Sequence, residues 1–196
     1  MSIFFIVFLP LFGFIFTSFF GKIFGDKISQ IITSTLLIIS SILSWLLFYK
    51  YLGPQQTNKL ILFNWITSGN FSVDWALRLD ALTATMLIVV TTVSAAVHIY
   101  SIGYMNQDKS IPRFMGYLSL FTFFMLILVT SDNLLQMFFG WEGVGLASYL
   151  LIGFWYHKNS ANKAAIKAFI VNRIGDFGFL LGIVGIFFVF GSINFD

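Results

Sequence analysis

Three ionisable residues stand where the surrounding chain looks like lipid-spanning helix. Glu142 lies within FFGWEGVGLASYLLIGFWY (138–156), and Arg173 and Asp176 lie within KAFIVNRIGDFGFLLG (167–182). A charge at the centre of a bilayer costs about 2.5–3.5 kcal/mol on insertion scales, so such residues face a bundle interior or a water path. Glu142 shares a helical face with Gly145, Tyr149, Gly153 and Tyr156. A carboxyl, small residues that leave room and phenol hydroxyls can line a hydrated track. The plainer reading is close helix packing at Gly145 and Gly153 with Glu142 hydrogen-bonded in place. Arg173 and Asp176 are spaced i, i+3 and can pair locally, which lowers the cost of inserting both.

A second group lies upstream. Thr91, Ser94, His98 and Ser101 recur at one helical face. Imidazole changes charge near neutral pH when unperturbed, so His98 is a candidate proton relay. Alternatively it is a hydrogen bonder between helices, as hydroxyl and imidazole groups in membranes often are.

The elements that would carry these groups are helices. Of 196 residues, 58% are hydrophobic and 10% charged, well below the roughly 25% charge of soluble domains. The class is an integral membrane protein. No cysteine is present, which removes disulfides, thiolate metal sites and iron–sulfur ligation by this chain. No metal-ligand cluster and no nucleophile–base set is evident, so no redox chemistry is expected of the chain itself. The glycines of Gly140-Trp141-Glu142-Gly143-Val144-Gly145 have the wrong spacing and context for a nucleotide loop. Nothing suggests nucleic-acid binding.

Spans need about 20 mostly apolar residues. Six runs qualify: Ser2–Phe20, Ile28–Leu52, Ala81–Tyr104, Phe114–Thr130, Leu134–Tyr156 and Ala164–Phe190. The expected fold is therefore an all-α polytopic membrane protein. The first run, with no basic lead and with Pro10 inside it, reads as a span rather than a cleaved signal. Ser131, Asp132 and Asn133 are N-cap types for the fifth run. Gly175, Gly178, Gly182 and Gly185 form a small-residue seam on the sixth, opposite Arg173 and Asp176, which predicts a helix packed on both sides. Glu142 and Asp176 both fall near mid-membrane, so antiparallel neighbours would bring them into electrostatic contact.

Between the second and third runs, Ile61, Phe63 and Trp65 alternate, then Phe71, Val73, Trp75, Leu77 and Leu79. With Thr67-Ser68-Gly69-Asn70 between them, this predicts a short β-hairpin. Its aromatics are expected at the membrane interface or against a neighbouring subunit. If every run spans, Lys22, Lys27, Lys109, Arg113, Lys158, Lys163 and Lys167 lie at one membrane face. Lys50, Lys59 and Arg78 lie at the other with Asp74, Asp80, Asp132 and Asp196. The positive-inside rule then puts the N-terminus and hairpin outside.

Residues 141–156 and 167–182, with LRLDALTATML (77–87) and VHIYSIGYM (97–105), strongly resemble chain 5, or subunit L, of the respiratory NADH–quinone oxidoreductase, complex I. The resemblance covers essentially the whole chain. It implies an antiporter-like subunit of the membrane arm in an energy-transducing inner membrane, bacterial or mitochondrial. Other membrane-arm subunits would be its partners, and quinone would be met only through the complex. Flavin and iron–sulfur clusters would sit in other subunits, with no cofactor in this chain. It also implies that Glu142 occupies the family's proton-transfer glutamate position. Arg173 and Asp176 match the motif linked to charge coupling with the neighbouring subunit. The implied division is 1–60 for the first two spans, 61–112 for the chain-5 N-terminal region and 113–196 for the start of the antiporter-like domain. The family's partner lysine on helix seven, its central Lys/His axis and its lateral helix have no counterpart here, so these residues are expected to form part of a pump. A multi-subunit Na⁺/H⁺ antiporter large subunit and a truncated, non-pumping fragment are the alternatives.

Overall fold

In the computed structural model the apolar runs fold as six helices with a hairpin between the second and third. The structure describes residues 2–51, 57–69 and 71–195. Leu52, Asn70 and Asp196, each part of a sequence expectation, lie outside them. The elements are α1 Ser2–Phe24, α2 Asp26–Tyr51, β1 Asn58–Ser68, β2 Phe71–Leu79, α3 Ala81–Tyr104, α4 Ile111–Val129, α5 Leu134–Ile152 and α6 Asn159–Phe190. All six helices are long and apolar enough to cross a membrane. α1 packs on α2 and α4, α2 on α3, and α4 on α5; α6 leans on α5 alone among the main helix contacts. The core between the first helices and α4 is built from Ile6, Val7, Leu47, Leu87, Phe123, Leu126 and Ile127.

Inside lipid every backbone group needs a partner from the protein. Pro10 has no N–H, which leaves the carbonyl of Ile6 without its intrahelical donor. The Ser40 hydroxyl on α2 supplies one at 2.8 Å. The same problem at helix starts is solved by caps. Asp80 accepts from Thr83 N at 2.8 Å, and Asn133 accepts from Gln136 N at 2.8 Å. Burial works against charge on Asp80, but the hydrogen bonds from Thr83 and the Arg78 guanidinium outweigh it and hold the carboxyl below its usual range. Of the three expected caps, Asn133 does the capping. Ser131 turns back to the Leu128 carbonyl at 2.8 Å, and Asp132 is taken by an ion pair with Lys59.

The hairpin is antiparallel, with Gly69 at φ +57° in its turn. Strict alternation does not hold. The register slips between Ile61 and Phe63 and again between Asn64 and Ile66. Each slip inserts a residue, re-aiming the side chains that follow. Leu62 and Trp65 therefore turn inward, while Ile61 and Phe63 stay exposed. Trp65 and Trp75 pack on Phe139 of α5 with centroids 6.2 and 4.9 Å away, so the aromatics rest on this chain's own helices. Polar ties fix the seat. Arg78 N donates to Thr130 O at 2.8 Å, Asn133 to Asp74 O at 2.9 Å and Ala76 N to Gln136 Oε1 at 3.1 Å.

The chain after α6 returns to the same end. Gly191, at φ +70°, caps the helix, and the Ile193 carbonyl then accepts from Leu134 N at 3.0 Å. Opposite the hairpin lies the basic end. There Trp155 donates to Asp108 at 2.9 Å, holding that carboxyl below its usual range, with a smaller contribution from the Ser110 N–H.

The glycines sort differently from the sequence expectation. α5 ends at Ile152, with Gly153 as its C-cap, so Tyr156 leaves the expected helical face. An added Cβ at Gly140 would meet the Leu128 backbone at 2.7 Å, and one at Gly143 would enter the Phe124 ring. By contrast, Gly175, Gly178, Gly182 and Gly185 on α6 have nothing of this chain within 4 Å of an added Cβ. The second packing side expected of α6 is therefore not supplied by the described residues. Gly140→Ala should lower stability by about 1–3 kcal/mol through overpacking, while Gly178→Ala should change it little. Paired denaturation curves of the two variants in detergent would check this.

Candidate functional site: a guanidinium between two carboxylates

α5 and α6 run antiparallel in a register that can be followed residue by residue. Phe138 meets Phe179 with centroids 5.6 Å apart, Gly145 faces Asn172, and Tyr149 meets Phe169 at 5.4 Å. The small side of α5 at Gly145 leaves room for the polar residues of α6. Between the first two of these contacts the charged groups converge. Arg173 Nη1 donates to Glu142 Oε2, and the same nitrogen lies 3.8 Å from Asp176 Oδ2. The sequence pairs Arg173 with Asp176. The structure gives Arg173 a closer partner in Glu142 and sets it between the two carboxylates.

The three groups differ in exposure. The Asp176 side chain is 7% exposed, Glu142 22% and Arg173 49%. Arg173 also stacks over Phe169 at 4.8 Å. A shallow apolar cavity of about 370 Å³ opens beside it, walled by Ile170, Ile174 and Phe177. The cluster thus sits on the open flank of the α5–α6 pair. On a span flank away from bulk water, charges are screened less than in water. Two carboxylates thus share one guanidinium, Glu142 across the helix interface and Asp176 on the same helix.

One member of the site escaped the sequence reading. Trp141 Nε1 donates to Asp176 Oδ1 at 2.8 Å, and its ring rests edge-on against Phe179 at 5.9 Å. Only the α5–α6 register reveals this bond. It leaves Asp176 Oδ2 turned toward Arg173. Lys59 with Asp132 was missed for the same reason, since the pair joins residues far apart in sequence.

His98 stands elsewhere, between α3 and α4. Its Nδ1 lies 2.8 Å from Ser94 O and its Nε2 3.1 Å from Ser119 Oγ. A carbonyl only accepts, so in the neutral ring Nδ1 carries the hydrogen and Nε2 accepts from Ser119. Thr122 continues the network by donating to Ser94 Oγ at 3.0 Å. Both imidazole nitrogens are thus occupied, and among the described residues no hydrogen bond joins this network to Glu142.

Comparison with known proteins places this geometry in context. The family described as NADH-ubiquinone oxidoreductase (complex I), chain 5 N-terminus, matches residues 65–115. The NADH:quinone oxidoreductase/Mrp antiporter transmembrane family matches residues 131–196, which contain the whole cluster. NADH-quinone oxidoreductase subunit L of Rhodobacter capsulatus is 56% identical across 97% of this chain. The chain belongs to the complex I chain 5/subunit L family. NADH-ubiquinone oxidoreductase chain 5 of Arabidopsis thaliana is 54% identical, again across 97% of the chain. The chain spans 28% and 29% of the lengths of these two relatives. Among solved structures, an archaeal membrane-bound sulfane sulfur reductase superposes with a TM-score of 0.79 at 16% identity, over 96% of this chain and 37% of its own. The Mrp complex of a Dietzia species gives 0.75 at 19%, over 96% and 20%. At those identities the likeness establishes the fold: a multi-pass, antiporter-like membrane architecture.

Trp141→Phe keeps the ring against Phe179 and removes only the N–H. Because the lost bond goes to a charged acceptor, stability should fall by about 1.5–3 kcal/mol. Denaturation of the variant in detergent would measure it.

Proposed function

We propose that the chain forms the proton-relay portion of an antiporter-like membrane subunit of NADH–quinone oxidoreductase. Quinone reduction elsewhere in the complex drives protonation changes at Glu142. The observation that carries this reading is Arg173 between Glu142 and Asp176. When Glu142 is ionised, it holds the guanidinium. When Glu142 takes a proton, its attraction for Arg173 drops and Asp176, only one helical turn away, becomes the better partner. A shift in charge at the Arg173 flank therefore changes the proton affinity of Glu142, and the reverse holds by linkage. Trp141 keeps Asp176 in place as the alternative acceptor. Residues 113–196 carry this relay, and 1–112 supply the helices and hairpin that hold it.

The chain contributes to the enzyme as a subunit, with flavin and iron–sulfur chemistry in other subunits and no cofactor of its own. Its partners are other membrane-arm subunits, and the open face of α6 supports such a neighbour. The location is an energy-transducing inner membrane. Gathering Lys22, Lys27, Lys109 and Lys158 at one end of the bundle supports an N-terminus on the outer side.

In the assembled complex, Glu142→Gln should leave NADH–quinone electron transfer and assembly on a native gel intact. Proton uptake by inverted vesicles should fall toward background. An unchanged proton-to-electron ratio would overturn the proposal. The match over residues 131–196 is shared with Mrp antiporters, which favours a second reading as part of a Na⁺/H⁺ antiporter. Sodium-dependent proton flux in vesicles without NADH would support that reading over the first.

A further inference from the structure

The short segment 130–133, between α4 and α5, has a backbone partner on each side. On the hairpin side Leu77 bridges Ser131, and Arg78 N donates to Thr130 O at 2.8 Å. On the other side Asn133 bridges Asn194, and two bonds flank that bridge. Leu134 N donates to Ile193 O at 3.0 Å, and Phe195 N donates to Asp132 O at 3.3 Å. The segment therefore lies between β2 and the chain that follows α6. The hairpin, the start of α5 and the end of α6 all hang from this one junction. Ile193 is buried there in an apolar cluster with Val73 of β2 and Ile183 of α6.

Two adjacent residues are tied in both directions. The Asn133 amide donates to Asp74 O of β2 at 2.9 Å, while its backbone bridges Asn194. The Asp132 carbonyl accepts from Phe195, while its carboxylate pairs with Lys59 of β1. That carboxylate is 2% exposed, and its Oδ1 has no hydrogen-bond partner among the described residues. Its charge is tolerated there because Lys59 offsets it. A buried carboxylate that loses its counter-ion is left uncompensated, so it must take a proton or move out. Either change disturbs a residue that also holds the chain beyond α6.

Glu142 projects from α5 and Arg173 from α6, so their meeting depends on how far each helix stands along the other. The ring contacts of the interface, Phe138 on Phe179 and Tyr149 on Phe169, are apolar and non-directional, and they tolerate sliding. The hydrogen bonds of the junction are directional and do not. We propose that Lys59 and Asp132 are positioning residues: by closing this junction they set the α5–α6 register in which Arg173 reaches Glu142. The consequence for pumping rests on the relay reading; the register itself does not.

The test uses the assembled complex with Gly145→Cys and Asn172→Cys in this chain, a facing pair on α5 and α6 in a sequence that has no cysteine of its own. Copper phenanthroline in air oxidises the two thiols to a disulfide, and the linked peptides are counted by mass spectrometry. This parent should cross-link readily. Lys59→Met should lower the yield several-fold, and Lys59→Arg should keep it. Lys59→Met combined with Asp132→Leu strands no charge, so the complex should assemble on a native gel, yet the yield should stay low. Lys109→Met, which removes a charge at the opposite end, should leave the yield unchanged. Without the added cysteines, the proton-to-electron ratio of inverted vesicles should fall with Lys59→Met and hold with Lys59→Arg. Full cross-linking in Lys59→Met, its recovery in the combined variant, or an equal loss in Lys109→Met would each overturn the proposal. A normal ratio in Glu142→Gln would count against the relay reading alone, because cross-linking reads the register whether or not Glu142 carries protons.

Discussion

A guanidinium set among apolar helices must find carboxylates, and the α5–α6 pair is arranged around that need. Arg173 bonds to Glu142 across the helix interface and has Asp176 within 3.8 Å on its own helix. Removing either charge would leave another without its counter-charge in a medium that solvates it poorly. The Trp141–Asp176 bond and the Gly145–Asn172 approach preserve the register in which the three groups meet. The cluster opens on a flank that the described residues leave uncovered.

What holds α5 in position lies at the hairpin end. Asn133 caps the helix and reaches the hairpin backbone, while Gln136 receives a hairpin N–H. Lys59 on β1 neutralises the buried Asp132 just before the helix. The α5 N-terminus is therefore fixed about two turns from Glu142, with its other side wedged against α4 at Gly140 and Gly143. α5 is thus tied at its N-terminus and against α4, whereas α6 is peripheral and buries only Ala165, Asp176 and Ile183.

Much of this was legible in the sequence. Ala81–Tyr104 begins and ends where the apolar run does, because lipid-spanning composition is a local property. The hairpin was legible from its alternation and its Gly-containing turn. Its bulges were not, since inserting Leu62 and Trp65 toward the core depends on the helices beneath. Glu142, Arg173 and Asp176 stood out as charges in apolar surroundings, and Arg173–Asp176 pairing followed from spacing. That Arg173 prefers Glu142, and that Trp141 holds Asp176, depends on the mutual rotation of two helices, which no single run encodes. The α6 glycines suggested a packing seam, but no described residue packs against them, since nothing lies within 4 Å of a Cβ added at Gly175, Gly178, Gly182 or Gly185.

The central claim is that Glu142 and Arg173 are energetically coupled. A double-mutant cycle with Glu142→Gln, Arg173→Gln and both together, read from reversible unfolding in mixed micelles, tests it directly. Coupling should appear as non-additivity of about 1–2 kcal/mol, within the range for residues in direct contact. Additive effects within about 0.5 kcal/mol would mean that the two groups act independently, contradicting the shared-arginine relay.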